Sequence, residues 1–131
     1  MKRVMICEDD PLLAMSLARE VEEAGSLVVG TFHSSFDAWT AADVLRPDIA
    51  IIDLALADGD TGLPLSVHLA QQGCRVIVVS GSALVHPELG GIPHAFVSKP
   101  VPCGLIAELT GSHADVAAVA EHIAVVGPHR C

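Results

Sequence analysis

The sequence predicts an α/β domain built on a doubly wound, five-stranded parallel sheet. Short aliphatic runs alternate with segments whose apolar residues recur at helical spacing, the pattern of repeated right-handed βαβ crossovers. The runs also lack the polar alternation of a sheet with one wet face, so their strands should be covered on both sides. A chain of 131 residues fits one such domain, and 51% hydrophobic against 3% aromatic content means packing by Val, Ile, Leu and Ala.

The first run, Val4 to Cys7, is broken by Glu8-Asp9-Asp10-Pro11. Leu12, Leu13, Leu17 and Val21 then recur at helical spacing, with Glu20, Glu22 and Glu23 as a wet face. Asp10 with Pro11 suits an N-cap and first helical residue, and Gly25 suits a stop. Ser26 to Phe32 is rich in β-branched residues and reads as the second strand. Ser34 or Ser35 can cap a helix carrying Phe36, Trp39, Ala42 and Leu45, which must end before Pro47.

The third strand, Asp48-Ile49-Ala50-Ile51-Ile52-Asp53-Leu54, is followed by the loop Ala57-Asp58-Gly59-Asp60-Thr61-Gly62. Leu63 to Gln72 is the next helix, closed by Gly73. Arg75 to Val79 is the fourth strand and ends at Ser80-Gly81-Ser82; Ala95 to Ser98 is the fifth and ends at Lys99-Pro100. Pro87, Gly90, Gly91 and Pro93 leave room for only a shortened fourth helix, a turn or two at Ala83 to Leu89. The helix expected from Pro102 meets Thr110-Gly111-Ser112, and Ser112 with Asp115 resembles a capping box. The reading is therefore one domain over 1–125, with an accessory C-terminal helix in 111–125 (roughly Ala114 to Val125) and a tail over 126–131.

A formal net charge of −9 and only seven scattered Lys and Arg residues argue against a nucleic-acid surface. No apolar run is long enough to span a bilayer, and the acidic segment follows Met1 too soon for a signal peptide. The cytoplasm is the expected location. Cys7, Cys74, Cys103 and Cys131 show no CxxC or zinc spacing and are expected to be buried or idle thiols. The seven histidines form no close pair and are expected to be surface or satisfied residues.

Open α/β sheets bind ligands at the carboxyl ends of their strands. Asp53 stands at such an end, and if strands 1 and 3 are neighbours, Glu8 and Asp9 stand beside it. Three carboxylates that close repel one another unless a cation neutralises them. Magnesium suits the set, because it takes one or two carboxylates, keeps waters and bridges to a phosphate. Ser80 offers a hydroxyl donor and Lys99 a mobile positive charge from the other strand ends. Together they provide the electrostatic positioning on which phosphoryl transfer relies, with the Asp53 carboxylate as nucleophile.

Ile6-Cys7-Glu8-Asp9-Asp10, Ile51-Ile52-Asp53-Leu54, Val78-Val79-Ser80-Gly81 and Ser98-Lys99-Pro100 follow one another in order. On these four motifs the chain, from Val4 to about Leu109, resembles a stand-alone response-regulator receiver domain of two-component signalling. The resemblance implies a flavodoxin-like fold of the receiver type. It implies that Glu8, Asp9 and Asp53 hold magnesium, that Asp53 is phosphorylated, and that Ser80 and Lys99 contact the phosphoryl group. Asp10 is better placed as a helix cap than as a ligand. Phe96, three residues before Lys99, matches an aromatic switch position of the family, although burial alone would also explain an aromatic there. The implied donor is a phosphohistidine on a histidine kinase or histidine phosphotransfer protein, and the output partner is an unknown protein.

The chain departs from the family pattern at Ala57, where proline is common, and in a loop before Gly62 that is one residue longer. The short segment between Ser80 and Lys99 puts the usual output face in doubt, and no effector domain is expected after Lys99. Besides an adaptor, the sequence allows a phosphorelay intermediate or phosphate sink, or a degenerate receiver that works without phosphate. A phosphatase of the haloacid-dehalogenase type is disfavoured, because the position of its general acid, two residues past the nucleophile, is Ala55. No separate substrate turnover is expected.

Overall fold

The computed structural model describes residues 1–81 and 86–111. Five strands, β1 (Arg3–Cys7), β2 (Leu27–Phe32), β3 (Ile49–Asp53), β4 (Arg75–Ser80) and β5 (His94–Ser98), form one parallel sheet in the order β2-β1-β3-β4-β5. β1 and β3 are direct neighbours, with Cys7 opposite Ile52, so the residues that follow β1 and the end of β3 meet on one edge of the sheet. The order reverses direction around β1, which opens the crevice where such sheets bind ligands.

Helices α1 (Pro11–Glu23), α2 (Ser35–Leu45), α3 (Gly62–Gln71) and α4 (Leu105–Thr110) cover both faces. Val4, Ile6, Ile49, Ile51, Ile77 and Val79 pack with Leu17 and Val21 of α1 and with Leu105, Ile106 and Leu109 of α4. Met5, Cys7, Ala50, Ile52, Val76 and Val78 pack on the other face with Ala38 and Ala42 of α2 and Leu65 and Leu69 of α3. Successive residues of β3 therefore feed opposite cores, which is why its sequence shows no polar position before Asp53. Ile51 and Ile52 are almost wholly buried, and each such side chain contributes roughly 1.5–3 kcal/mol.

Local chemistry sets the helix ends as the sequence predicts. Asp10 accepts from the N–H groups of Leu12 and Leu13 at 3.0 and 3.5 Å, with Pro11 as the first helical residue. Of the two serines that could cap α2, Ser34 does so, accepting from Asp37 N–H at 3.2 Å. Gly73, just past α3, has φ +89°, where a side chain would be strained.

Two readings change in detail. The face that α2 turns to the core is Ser35, Ala38 and Ala42, while Phe36 and Trp39 lie outward. The small residues let the helix sit close on the sheet, and Trp39 instead stacks on His68 of α3 at a ring-centroid distance of 4.0 Å. Between β4 and β5 the described helical element is a 3₁₀ turn at Pro87–Gly91, which overlaps the shortened helix expected over Ala83 to Leu89. Pro87 starts that turn and the two glycines lie within it; residues 82–85 are outside the described residues. Cys7 and Cys74 are free and buried as expected, but Cys103 is disulfide-bonded. The accessory helix expected over Ala114 to Val125 and the tail over 126–131 lie outside the described residues. No described helix is long and apolar enough to cross a membrane.

Candidate functional site

The carboxyl ends of β1, β3, β4 and β5 converge, and four of the residues singled out in the sequence meet there. Glu8 follows β1 and is buried, Asp53 ends β3 and is buried, and Asp9 stands exposed at the rim. One carboxylate oxygen from each lies within 4.8 Å of the others. Lys99, one residue past β5, reaches across the sheet. Its Nζ donates to Asp53 Oδ2 at 2.6 Å and pairs with Glu8 Oε1 at 3.0 Å.

The second oxygen of Asp53, Oδ1, accepts from Ala55 N–H at 3.0 Å, so this carboxylate is fixed at both ends. Glu8 Oε2 accepts from Asp10 N–H at 3.1 Å. Glu8 Oε1 is different: it is buried and close to the ammonium, yet no aligned hydrogen bond reaches it. Burial raises the Glu8 carboxyl to about 7; the Asp10 N–H and the Lys99 ammonium oppose that rise, and the Asp9 and Asp53 carboxylates add to it. For Lys99, loss of hydration pulls the ammonium downward, but its bonds to Asp53 and Glu8 outweigh that and raise it. The ammonium therefore stays charged throughout the neutral range.

The donor set fits a hard divalent cation. Three convergent carboxylates supply oxygens only, and a buried carboxylate oxygen without a hydrogen bond is a ligand in waiting. One lysine supplies a single compensating charge to three acids.

Ser80 ends β4 and is buried; it lies opposite Ser98 in register, and its carbonyl accepts from Lys99 N–H at 2.8 Å. Phe96 lies opposite Val78 on β5, half-buried and packed against the core on the α2 and α3 face. Asp10 caps α1 and stays out of the acidic cluster.

Sequence reasoning missed three residues that shape the site. Gly62 opens α3 directly against β3, and a Cβ there would lie 2.0 Å from the Asp53 carbonyl oxygen and 2.6 Å from Leu54 Cα. Loop geometry was the expected reason for both Gly59 and Gly62; it holds for Gly59, with φ +102°, whereas Gly62 is demanded by close approach. Asp58 caps α2 from the loop after β3, accepting from Ser35 and Phe36 N–H at 3.0 and 3.1 Å and from the Thr61 hydroxyl at 2.6 Å. These bonds hold its carboxyl below the usual carboxylate range. His33 touches the Glu8 backbone. None of the three carries a sequence signal, because each depends on a contact between distant elements.

Residues 4–107 match the family model of the response regulator receiver domain. The Phyllosphere-induced regulator PhyR of Methylorubrum extorquens is 39% identical over 61 residues, which are 46% of this chain and 23% of that protein. The transcriptional regulatory protein PdtaR of Mycobacterium tuberculosis is 32% identical over 78 residues, 60% of this chain and 38% of that one. The matches thus span well under half of either curated relative. The crystal structure of the response regulator PhyR from Brucella abortus superposes with a TM-score of 0.67 at 26% identity, covering 93% of this chain and 47% of that one.

Proposed function

The chain belongs to the response regulator receiver domain family, and from that premise we propose that it is a signalling module phosphorylated on Asp53. The observation that carries this reading is the knot of Glu8, Asp53 and Lys99 at the strand ends, with Asp9 beside it. The donor is a phosphohistidine of a histidine kinase or histidine phosphotransfer protein. An Asp53 carboxylate oxygen attacks phosphorus as the P–N bond breaks. Its electron pair stays on the departing imidazole, and an acyl phosphate forms.

Each neighbour has a part in that step. Ala55 N–H holds Oδ1 and so aims the carboxylate. Lys99 holds Oδ2 at rest and follows the negative charge to a phosphoryl oxygen. The Ser80 hydroxyl donates to another phosphoryl oxygen. Glu8, Asp9 and Asp53 would hold magnesium, which when bound neutralises charge on both the carboxylates and the incoming phosphoryl group. Phe96, half-buried beside the core, would change rotamer when Ser80 is engaged. Ala55 offers no side-chain acid, so no group there protonates a leaving alkoxide as a phosphoester hydrolase requires.

The output is a protein whose affinity differs for the two states of the domain, since a partner responds only to a difference in binding. A phosphorelay intermediate or sink would use the same chemistry and return the group to a histidine. The cytoplasm, where such donors work, is the proposed location.

Incubation with acetyl phosphate should give one phosphoryl adduct by intact mass with magnesium present and little or none with EDTA. A metal-independent adduct, or one that maps away from Asp53, would sink the assignment. A complementary test uses stability. Glu8 titrates near 7 when folded and near 4.5 when unfolded, so the stabilisation it gives the metal-free fold is complete below pH 4.5 and lost as pH rises through 7. Lys99 titrates above this window and does not contribute within it. Magnesium should therefore raise the melting temperature more at pH 8 than at pH 5.5; an equal shift at both would place the metal away from Glu8.

A further inference from the structure

We propose that His33 is a positioning residue for the acidic site, its imidazole tying the peptide between Glu8 and Asp9 to the connection between β2 and α2, whose backbone also holds the loop that follows Asp53. The inference rests on the metal-binding reading of Glu8, Asp9 and Asp53 and extends it to a residue outside the cluster. β1 ends at Cys7, so past that point no strand ladder holds the backbone that presents the two acids. Glu8 N–H still donates to the Phe32 carbonyl at 2.9 Å. The Glu8 carbonyl, by contrast, is met by a side chain, His33 Nδ1, at 2.9 Å.

A carbonyl only accepts, so Nδ1 must carry the hydrogen, and the bond selects one tautomer of the ring. The backbone of the same residue faces the other acid-bearing segment: the His33 carbonyl accepts from Ala57 N–H at 2.9 Å. One residue later the clamp continues, with Asp58 reaching back to Ser35 and Phe36. The connection between β2 and α2 thus grips both the end of β1 and the loop after β3. The grip on the loop after β3 is the His33 backbone and the Asp58 carboxylate; on the side of the two acids the imidazole is the part that substitution can delete. Without it the peptide linking Glu8 to Asp9 is free to rotate, and the directions of both carboxylates loosen. Outer contacts that orient metal ligands commonly affect metal affinity by about 10–100-fold when lost. The ring is otherwise exposed, so its loss should leave the fold intact.

The test compares wild type, His33→Ala and His33→Asn by magnesium calorimetry, with circular dichroism to check the fold. The asparagine amide nitrogen stands as many bonds from the backbone as Nδ1 and can make the same donation. His33→Ala should bind magnesium about tenfold more weakly, and His33→Asn within about twofold of wild type. Imidazole ¹⁵N spectra of the metal-free wild type, recorded at a pH where the ring is in its neutral form, should place the hydrogen on Nδ1. Undiminished affinity in His33→Ala, equal losses in both variants, or an Nε2–H tautomer would each overturn the inference alone. Absence of magnesium binding by the wild type would overturn the reading of the acidic site, and the inference with it.

Discussion

Asp53→Asn should take up no phosphate from acetyl phosphate or from a phosphohistidine donor, while keeping its fold. The amide oxygen can still accept from Ala55 N–H, so the local turn is preserved. What disappears is the anionic nucleophile, and with it any means of forming an acyl phosphate. The rate should fall at least about a hundredfold, which corresponds to roughly 2.7 kcal/mol of barrier. Stability should change little. The substitution removes a charge that repels Glu8 and Asp9, and Lys99 keeps Glu8 as a partner. Intact mass and a melting curve on the same sample decide the matter: full labelling of a folded Asn variant would move the acceptor elsewhere, and an unfolded variant would make Asp53 a structural residue first.

Gly62→Ala should produce the largest loss of stability of any single methyl addition near the site. The new Cβ would lie 2.0 Å from the Asp53 carbonyl oxygen, with Leu54 Cα and the Asp53 carbonyl carbon also inside 3 Å. A Cβ has no rotamer through which to escape, and all three neighbours are backbone. Either α3 must lift or the end of β3 must move, and the residue displaced is the proposed acceptor itself. Overpacking of this kind costs on the order of 3 kcal/mol, or about 10 °C in melting temperature for a domain of this size. Gly59→Ala is the control: its φ of +102° strains a side chain, but no atom lies within 4 Å. It should cost about 1 kcal/mol and leave phosphorylation nearly unchanged. Equal effects of the two substitutions would refute the close-approach explanation for Gly62.

The two variants separate what a residue does in chemistry from what it does in shape, and the sequence treats those unequally. Asp53 is legible because an acid ending a wholly apolar run is conspicuous against its neighbours. Gly62 stands beside Gly59 in a loop that looks uniformly flexible, and only the position of α3 against β3 distinguishes them. The aromatics of α2 teach the same lesson from the opposite side. Phe36 and Trp39 look like core residues by hydropathy, yet α2 lies against the sheet through Ala38 and Ala42, because small residues allow close approach. Hydropathy reports what a residue prefers, and helix rotation is settled by what fits.

What the sequence by itself determined is the set of elements and their local ends: five aliphatic strands, the Asp10 cap and a serine cap at Ser34 or Ser35, and the acids, hydroxyl and lysine standing where strands stop. These features are encoded in residues a few positions apart, through strand and helix periodicity and side-chain bonds to neighbouring N–H groups. Only the tertiary structure decided that β1 lies beside β3, that Lys99 bridges Glu8 and Asp53, and that His33 and Asp58 grip the acid-bearing segments. Those contacts join residues from about 20 to 90 positions apart. Their partners are chosen by how the strands order themselves in the sheet, and no local pattern carries that choice.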